Sequence, residues 1–519
     1  MTSAAAPTPA EMATFAQVIR THAARRGAAP ALTFEGQTAS FAALDAASSR
    51  AANALRALGV GKGDRVAVLC RNRPEHFELL IACSKIGATL VGLNWRLAPA
   101  EIQEILKRCR PAVLFAADGE AHLLSAEARG LAGKLLSLET DYPAARDAAE
   151  ASDPGHEGAP DEVILLLYTS GTTGLPKGVM LTNRNMSYTY RLATEAWGMS
   201  EDSVNLVAMP LFHIGGCGYG SSTMMAGGHT VLMRDVDCDE AIRLMERHAV
   251  THTFFVPTVV QGLLRVEGIA QADLSAMQLL MYGAAPIGDV LLSKALKVFE
   301  CNFMHAYGMT EAAGTVVTLP PEDHALEGDR ARLLKSCGRP LPWVELRVID
   351  PATGTDAAVG DPGEIWLRSG MITPGYWQNR SATAEAITPD GWFRTGDAAY
   401  RDEEGYVFLF DRFKDMIISG GENIYPAEIE NALNAHDGIA ECGVIGVPHD
   451  KWGETPLAVI VPKSGAALTE AEIIDFCRSR IARYKCPTRV AFVDSLPRNA
   501  SGKLQKHKLR DQFRETANA

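Results

Sequence analysis

The cysteines of this chain are not organised. Ten of them, Cys70, Cys83, Cys109, Cys217, Cys238, Cys301, Cys337, Cys442, Cys477 and Cys486, stand singly, with no C-x-x-C pair. That spacing argues against a zinc site or a disulfide framework and fits a reducing compartment. Long apolar runs are missing too, since none reaches the ~18 residues a membrane helix needs. The Ala/Pro-rich start lacks a cationic stretch followed by an apolar core, so no leader is expected. Positive charge is in deficit: 50 Lys and Arg stand against 62 Asp and Glu, a net charge of −12. A nucleic-acid partner would leave a basic footprint instead. Compositional bias is absent as well, because 47% hydrophobic and 22% charged residues match ordinary globular usage. These absences leave a cytoplasmic protein without an integral membrane segment as the expectation, with peripheral membrane contact open.

What is present is length and alternation. At roughly 150 residues per domain, the 519 residues give about three or four compact units, large enough to need no staple. Short apolar runs at 66–70, 88–92, 112–116, 163–167, 205–209, 253–256 and 279–282 alternate with helical patterns such as 74–86 and 99–108. This alternation predicts an α/β fold whose large N-terminal domain has parallel-rich sheets covered by helices. From about 336 the strand-like runs 346–349, 364–367 and 406–410 are separated by Gly, Pro and Asp, which predicts a β-rich subdomain over about 336–411. A charged stretch at 411–414 marks a boundary, and the residues beyond it read as a small α+β domain. The stretch 142–160 reads as a surface connection and 1–12 as a loose tail. Between Arg478 and Arg514, eleven Lys or Arg face only Asp494 and Asp511. That segment is either a solvated face or a patch for a polyanion.

The stretch richest in chemistry is Leu167-Tyr168-Thr169-Ser170-Gly171-Thr172-Thr173-Gly174-Leu175-Pro176-Lys177-Gly178. It follows a predicted buried strand and precedes a predicted helix from about Asn183. Its glycines keep the backbone thin, while four hydroxyls and Lys177 supply donors for a phosphate chain. It is not a Walker loop, because Pro176 stands where that motif needs its second glycine. A plain polar loop is the competing reading of such a string alone.

The string resembles the phosphate-binding signature of the adenylate-forming enzymes, which include acyl- and aryl-CoA synthetases, nonribosomal adenylation domains and firefly-type luciferases. Further motifs of that family follow in order over roughly residues 12–514. The resemblance implies that Thr169, Ser170, Gly171, Thr172, Thr173, Gly174 and Lys177 hold the phosphates of ATP. In Met304-His305-Ala306-Tyr307-Gly308-Met309-Thr310-Glu311 it implies that Tyr307 stacks on adenine and Thr310 contacts the α-phosphate. His305, Ala306 and Gly308 then line the nucleotide site, and Glu311 with Thr169 holds Mg²⁺. Gly283, Ala284 and Ala285 would let adenine and the acyl group approach the backbone. Asp397, in Gly391-Trp392-Phe393-Arg394-Thr395-Gly396-Asp397, resembles the ribose-binding carboxylate. Arg412 resembles a second ribose or phosphate contact, and Lys414 falls at the family's hinge. The domains implied are 1–411, a hinge at 412–415, and a mobile 416–519. Lys503, in Pro497-Arg498-Asn499-Ala500-Ser501-Gly502-Lys503, resembles the mobile catalytic lysine. Rotation about the hinge would exchange it for Gly420 and Gly421, which leave space for a pantetheine arm.

The activity implied is an ATP-dependent carboxylic acid–CoA ligase working through an acyl adenylate, with Lys177, His213 and Lys503 catalytic. A medium- or long-chain fatty acid is the expected substrate, and an aryl acid or a carrier-protein acceptor is the alternative. Residues 211–223 contain no acidic side chain, which disfavours an amino acid substrate. The small residues Gly215-Gly216-Cys217-Gly218-Tyr219-Gly220-Ser221-Ser222 either leave room for a chain or permit close helix packing. No carrier domain follows Lys503, so a stand-alone ligase is expected, and a homodimer is compatible with the sequence. Rival classes were a Ser170/Lys177 hydrolase, a P-loop NTPase and a nucleotide-binding regulator. The hydrolase would leave Glu311, Asp397 and Lys503 without a role.

Overall fold

Runs too apolar to face water on either side form the central strands. Arg65–Leu69 is buried along all but its first residue and Thr89–Leu93 along its whole length, as parallel strands covered on both faces must be. The computed structural model describes residues 14–169, 176–285, 287–412, 415, 417–419, 422–424, 426–449, 452–481, 483–498 and 504–513. Among these residues the strands form four sheets, of six, nine, four and five strands. The six-stranded sheet is parallel except for its last pair, in which Val163–Thr169 turns back antiparallel into Lys177–Thr182. The nine-stranded sheet has a parallel centre that includes His252–Phe255, Leu279–Gly283 and Asn302–Met309. The four-stranded sheet, Glu345–Ile349 to Val407–Arg412, is antiparallel throughout. The C-terminal sheet is mixed, because Arg489–Phe492 runs parallel to Gly453–Pro462. The expected α/β class, with parallel-rich sheets and a β-containing C-terminal part, is therefore what forms.

Helix ends obey local chemistry. Pro74 and Pro99 open Pro74–Ile86 and Pro99–Cys109 at positions where no N–H is needed. The first helix stops at Gly87, whose φ of 71° is left-handed. Its last turn carries Lys85, which is fully buried. Lys85 Nζ donates to Asp45 Oδ1 at 2.6 Å, to the Asp45 carbonyl at 2.9 Å and to Ser49 Oγ at 2.7 Å. Asp153 lies 3.4 Å from the same ammonium and accepts two bonds from the Arg20 guanidinium. One buried cation thus ties two helices to the segment beyond 149.

That clamp sets an acid limit. Burial opposes ionisation of Asp153, but the Arg20 bond, the Gly155 N–H and Lys85 outweigh it and hold its pKa down at about 2. A depressed carboxylate gives stability that is present above its unfolded pKa of 3.8 and lost as pH falls through 2. We expect the pH dependence of Tm between these values to flatten in Asp153→Asn, as read by thermal unfolding across that window.

One sequence reading is corrected in part. The stretch 142–160 is not simply a surface connection. It begins inside the helix Asp141–Ala148, and Tyr142 is buried with its hydroxyl donating to Glu78 at 2.8 Å. Farther along, the carbonyls of Ala149, Glu150 and Ser152 accept from Arg50 and Asn53, so the backbone is pinned to the helix Phe41–Ala57. The helix expected from about Asn183 after the glycine-rich stretch forms as Asn183–Arg191, capped by Thr182, and the strand Lys177–Thr182 fills the interval before it. The tail at 1–12 lies outside the described residues.

Among the described residues no helix is long and apolar enough to cross a membrane. The basic segment is partly neutralised locally: Arg478, Lys485, Arg498, Lys506 and Arg510 pair with Asp475, Glu428, Glu441, Glu430 and Asp415.

Candidate active site

Parallel strands end together, and their C-terminal ends are where a sheet offers backbone and side chains to a ligand. Leu279–Gly283 and Asn302–Met309 end side by side, with Gly283 opposite Ala306. A Cβ on Gly283 would lie 2.1 Å from the Ala306 carbonyl oxygen, so glycine is required for the strands to close. Ala284 follows at a φ of 63°, uncommon for a residue with a side chain. We expect Gly283→Ala to force the two strand ends apart, lowering stability by about 1–3 kcal/mol and raising KM for the nucleotide, as measured by thermal unfolding and initial rates. Ala285 is exposed beside them.

Tyr307, at the end of Asn302–Met309, donates its hydroxyl to Asp397 Oδ2 at 2.7 Å. Burial, and then Asp397, push the Tyr307 phenol well above its ordinary pKa, so it stays a donor. Asp397 belongs to Phe393–Arg401, where Gly396 takes a φ of 71°. The Asp397 N–H donates to Thr395 Oγ1, whose own hydroxyl donates to the Ile365 carbonyl, and the Gly396 N–H donates to Glu364. Arg412, on the neighbouring strand, is the backbone register partner of Asp397. Two residues chosen from motifs far apart in sequence therefore touch, and a third shares the rung of Asp397.

A second group assembles on the other side of Thr310. Thr310 is buried in the single turn Thr310–Ala312. Glu311 accepts from the Tyr376 hydroxyl at Oε1 at 3.0 Å, and its carbonyl accepts from the Thr373 N–H at 2.7 Å. Tyr376 bridges to Val179, and Trp377 N–H donates to the Gly178 carbonyl. The Lys177 ammonium sits 5.0 Å from the Tyr376 ring centroid, within cation–π reach. Thr169 and Lys177 occupy one rung of the antiparallel pair. Tyr376 thus joins Lys177 to Glu311. Sequence reasoning missed it, and the only signal was an aromatic pair, Tyr376-Trp377, after Gly375.

His305 is stacked on Tyr282, with centroids 5.0 Å apart, and Tyr282 Oη lies 3.0 Å from His324 Nε2. Burial, and then His324, lower the His305 pKa to about 4, so it is neutral at physiological pH. Gly308 admits no side chain, because a Cβ would lie 2.0 Å from the Gly314 carbonyl oxygen.

His213 sits at the start of Ile214–Ala226, and its carbonyl accepts from the N–H groups of Gly216 and Cys217. The small residues of that helix serve close packing at Gly216, against the Pro210 carbonyl, and at Gly220, against the Phe77 ring. Burial pushes the Cys217 thiol up to about 12, which excludes it as a nucleophile at neutral pH. Ser170, Gly171, Thr172, Thr173, Gly174, Lys414, Gly420, Gly421 and Lys503 lie outside the described residues. Their flanks do not: Asp415 is bound to Arg510 at 2.7 Å, and Arg498 bridges to Leu504.

The described residues hold no group of three His, Cys, Asp or Glu suited to a metal. A single carboxylate such as Glu311 still fits Mg²⁺, which binds through one or two carboxylates with phosphate oxygens and water.

Residues 19–377 match the family described as AMP-binding enzyme, and residues 428–503 match its C-terminal domain. A fatty acid–[acyl-carrier-protein] ligase, ScoC, of Streptomyces coeruleorubidus is 36% identical over 510 residues, covering 97% of both chains. A feruloyl-CoA synthase of an Amycolatopsis species is 39% identical over 490 residues, covering 93% of this chain and 96% of that one. The O-succinylbenzoate coenzyme A synthetase of Bacillus subtilis, solved with ATP and magnesium ion, superposes with a TM-score of 0.86 at 32% identity, over 95% of this chain and 99% of that one. The chain belongs to the AMP-binding enzyme family, the adenylate-forming enzymes whose motifs it carries, and is an AMP-forming acid–thiol ligase.

Proposed function

We propose that this enzyme is an ATP-dependent carboxylic acid–CoA ligase with its nucleotide site between Tyr307 and Lys177. The observation that supports this most is the convergence of two halves around Thr310. Tyr307 and Asp397 are hydrogen-bonded on one side, and Lys177, Tyr376 and Glu311 are linked on the other. Adenine lies against Tyr307, and the ribose hydroxyls donate to Asp397, with Arg412 as a second contact. Lys177, Thr169 and the loop 170–174 take the β- and γ-phosphates, and Thr310 takes the α-phosphate. Mg²⁺, held through Glu311 and Thr169, would supply charge that offsets the phosphates.

In the first step a carboxylate oxygen of the acid attacks the α-phosphorus, and the bond to pyrophosphate breaks. Two anions must meet, so positioned cations do most for the rate. Lys177 stabilises the leaving pyrophosphate, and Lys503 neutralises the reacting carboxylate and α-phosphate. In the second step the CoA thiol attacks the acyl carbon and AMP leaves. A thiol of pKa about 8.5 is only a few per cent ionised at neutral pH, so His213, at the mouth of Ile214–Ala226, serves to align it. Lys503 must then vacate the site. A hinge at Lys414, between Arg412 in the four-stranded sheet and Asp415 bound to Arg510, would bring Gly420 and Gly421 into its place. Residues 211–223 carry no carboxylate for a substrate amine, which favours an uncharged acyl group; fatty and aryl acids both meet that condition.

The test is acid-dependent ATP–pyrophosphate exchange with a panel of fatty and aryl acids, run beside assays for AMP and thioester with CoA. Exchange with thioester formation supports the ligase. Exchange without thioester points to a carrier-protein acceptor, a second reading favoured by the 36% identity to ScoC. No exchange with any acid overturns the proposal.

A further inference from the structure

Lys177 and Glu311 meet one side chain from different directions. The Lys177 ammonium lies 5.0 Å from the centroid of the Tyr376 ring, and the Tyr376 hydroxyl donates to Glu311 Oε1 at 3.0 Å. A single phenol thus takes a cation on its face and a carboxylate at its tip, as the ring quadrupole and the O–H donor each allow. Tyr376 is only 7% exposed, while Lys177 and Glu311 are half-buried. Opposite charges in such surroundings attract more strongly than they do in open water.

The backbone fixes the ring where it stands. Lys177–Thr182 is the last strand of the six-stranded sheet, and residues 375–377 run along its outer edge, with Tyr376 bridged to Val179. The Met180 N–H donates to the Gly375 carbonyl at 3.1 Å, and the Trp377 N–H donates to the Gly178 carbonyl at 2.7 Å. The Tyr376 N–H donates to Thr383 Oγ1 at 3.0 Å. Gly375 permits this approach, because its φ is 139° and a Cβ there would lie 2.5 Å from Thr383 Cγ2. Thr373 closes the other side. Its hydroxyl donates to the Met180 carbonyl at 2.6 Å, and its N–H donates to the Glu311 carbonyl at 2.7 Å. Tyr376 is therefore fixed to the strand that carries Lys177, and the turn that carries Glu311 is tied to the same segment.

We propose that Tyr376 is a positioning residue that keeps Lys177 and Glu311 apart, holding one on its ring face and the other on its hydroxyl, so that they do not neutralise each other before Mg²⁺ and ATP arrive. This rests on the nucleotide site proposed above. Without the ring, Lys177 can swing on its flexible four-carbon stem to the carboxylate. The ion pair so formed would consume the donor meant for phosphate and the acceptor meant for the metal, and ATP would have to break it. The hydroxyl adds direction, because a charge-assisted bond holds the Glu311 carboxylate in one orientation. A ring is suited to this work where a second carboxylate is not. It attracts the ammonium without adding a negative charge that would repel the phosphates.

The experiment is calorimetric titration of ATP into the enzyme, in EDTA and in Mg²⁺, for the wild type, Tyr376→Leu, Glu311→Gln, the double variant and Tyr376→Phe. In EDTA, Tyr376→Leu is expected to raise Kd for ATP about three- to tenfold. In the Glu311→Gln background the same substitution should change Kd by less than about twofold, because no carboxylate remains to capture Lys177. A merely structural loss would persist in that background, and its persistence overturns the proposal. An unchanged Kd in Tyr376→Leu overturns it too. Tyr376→Phe keeps the ring, so its Kd in EDTA should stay within about twofold of wild type, but it should need about three- to tenfold more Mg²⁺ for half-maximal tightening. If Tyr376→Leu does not fold, Tyr376→Phe decides: an unchanged Mg²⁺ midpoint, or a Kd in EDTA raised by more than about threefold, overturns the proposal. A wild type that binds ATP only with Mg²⁺ also overturns it, since Lys177 would then not grip phosphate on its own. Binding in neither condition is a different result: the nucleotide-site reading itself fails, and the proposal falls with it.

Discussion

Replacing Asp397 with alanine is expected to lower kcat/KM for ATP by about 10²–10³-fold. A hydrogen bond to a charged group is worth about 1.5–3 kcal/mol, and the ribose presents two hydroxyls to this carboxylate. The substitution also strands the buried Tyr307 hydroxyl, which now donates to Asp397 at 2.7 Å. Tyr307→Phe keeps the ring face and loses only that bond, so its cost should be smaller, about three- to tenfold. Because the two side chains touch, their effects should not add. The double variant should resemble Asp397→Ala alone. Initial rates against ATP at saturating acid decide this. If Asp397→Ala shifts Tm but leaves KM for ATP unchanged, the carboxylate is a structural partner of Tyr307 and not the ribose acceptor.

Lys85→Met should cost the fold about 3–5 kcal/mol, the usual penalty for breaking a buried ion pair by removing one partner. Methionine fills similar space, so the loss reports charge and hydrogen bonding more than volume. Asp45 and Asp153 would then face each other without the ammonium that lies 2.6 and 3.4 Å from them. Urea unfolding followed by two probes is the appropriate readout, because a chain of this size need not unfold in one step. Lys85 makes no contact with the proposed site residues in the hydrogen-bond and ion-pair network described above, so activity per folded molecule should be kept. A midpoint within about 0.5 kcal/mol of wild type, the range of an ordinary surface substitution, would show that the clamp is dispensable.

The sequence disclosed what is local and what is repeated in a fixed order. Proline at the first turn and glycine after the last mark Pro74–Ile86 without any knowledge of its neighbours. Tyr307 and Asp397 were chosen from separate motifs, and they meet. Tyr376 was not legible, because its meaning comes from Glu311, 65 residues earlier, and from a bridge to Val179. Composition placed 149–160 in a loop, as found, but missed the helix Asp141–Ala148 and the anchoring of that loop. Alanine, aspartate and glycine suggest a loop, but the carbonyls there serve Arg50 and Asn53 from a distant helix.

The rung shared by Thr169 and Lys177 has a consequence for how tightly a phosphate chain can be gripped. Bringing the two ends of a segment together has an entropic cost that every ligand-binding loop must meet somewhere. Here the sheet meets it during folding, since both ends are already fixed on neighbouring strands of an antiparallel ladder. A phosphate chain bound as proposed would therefore meet a mouth already held to a set width by Thr169 and Lys177. Lengthening 170–175 by a residue or two would leave that width unchanged, so its effect should fall on phosphate affinity and hardly on the stability of the protein.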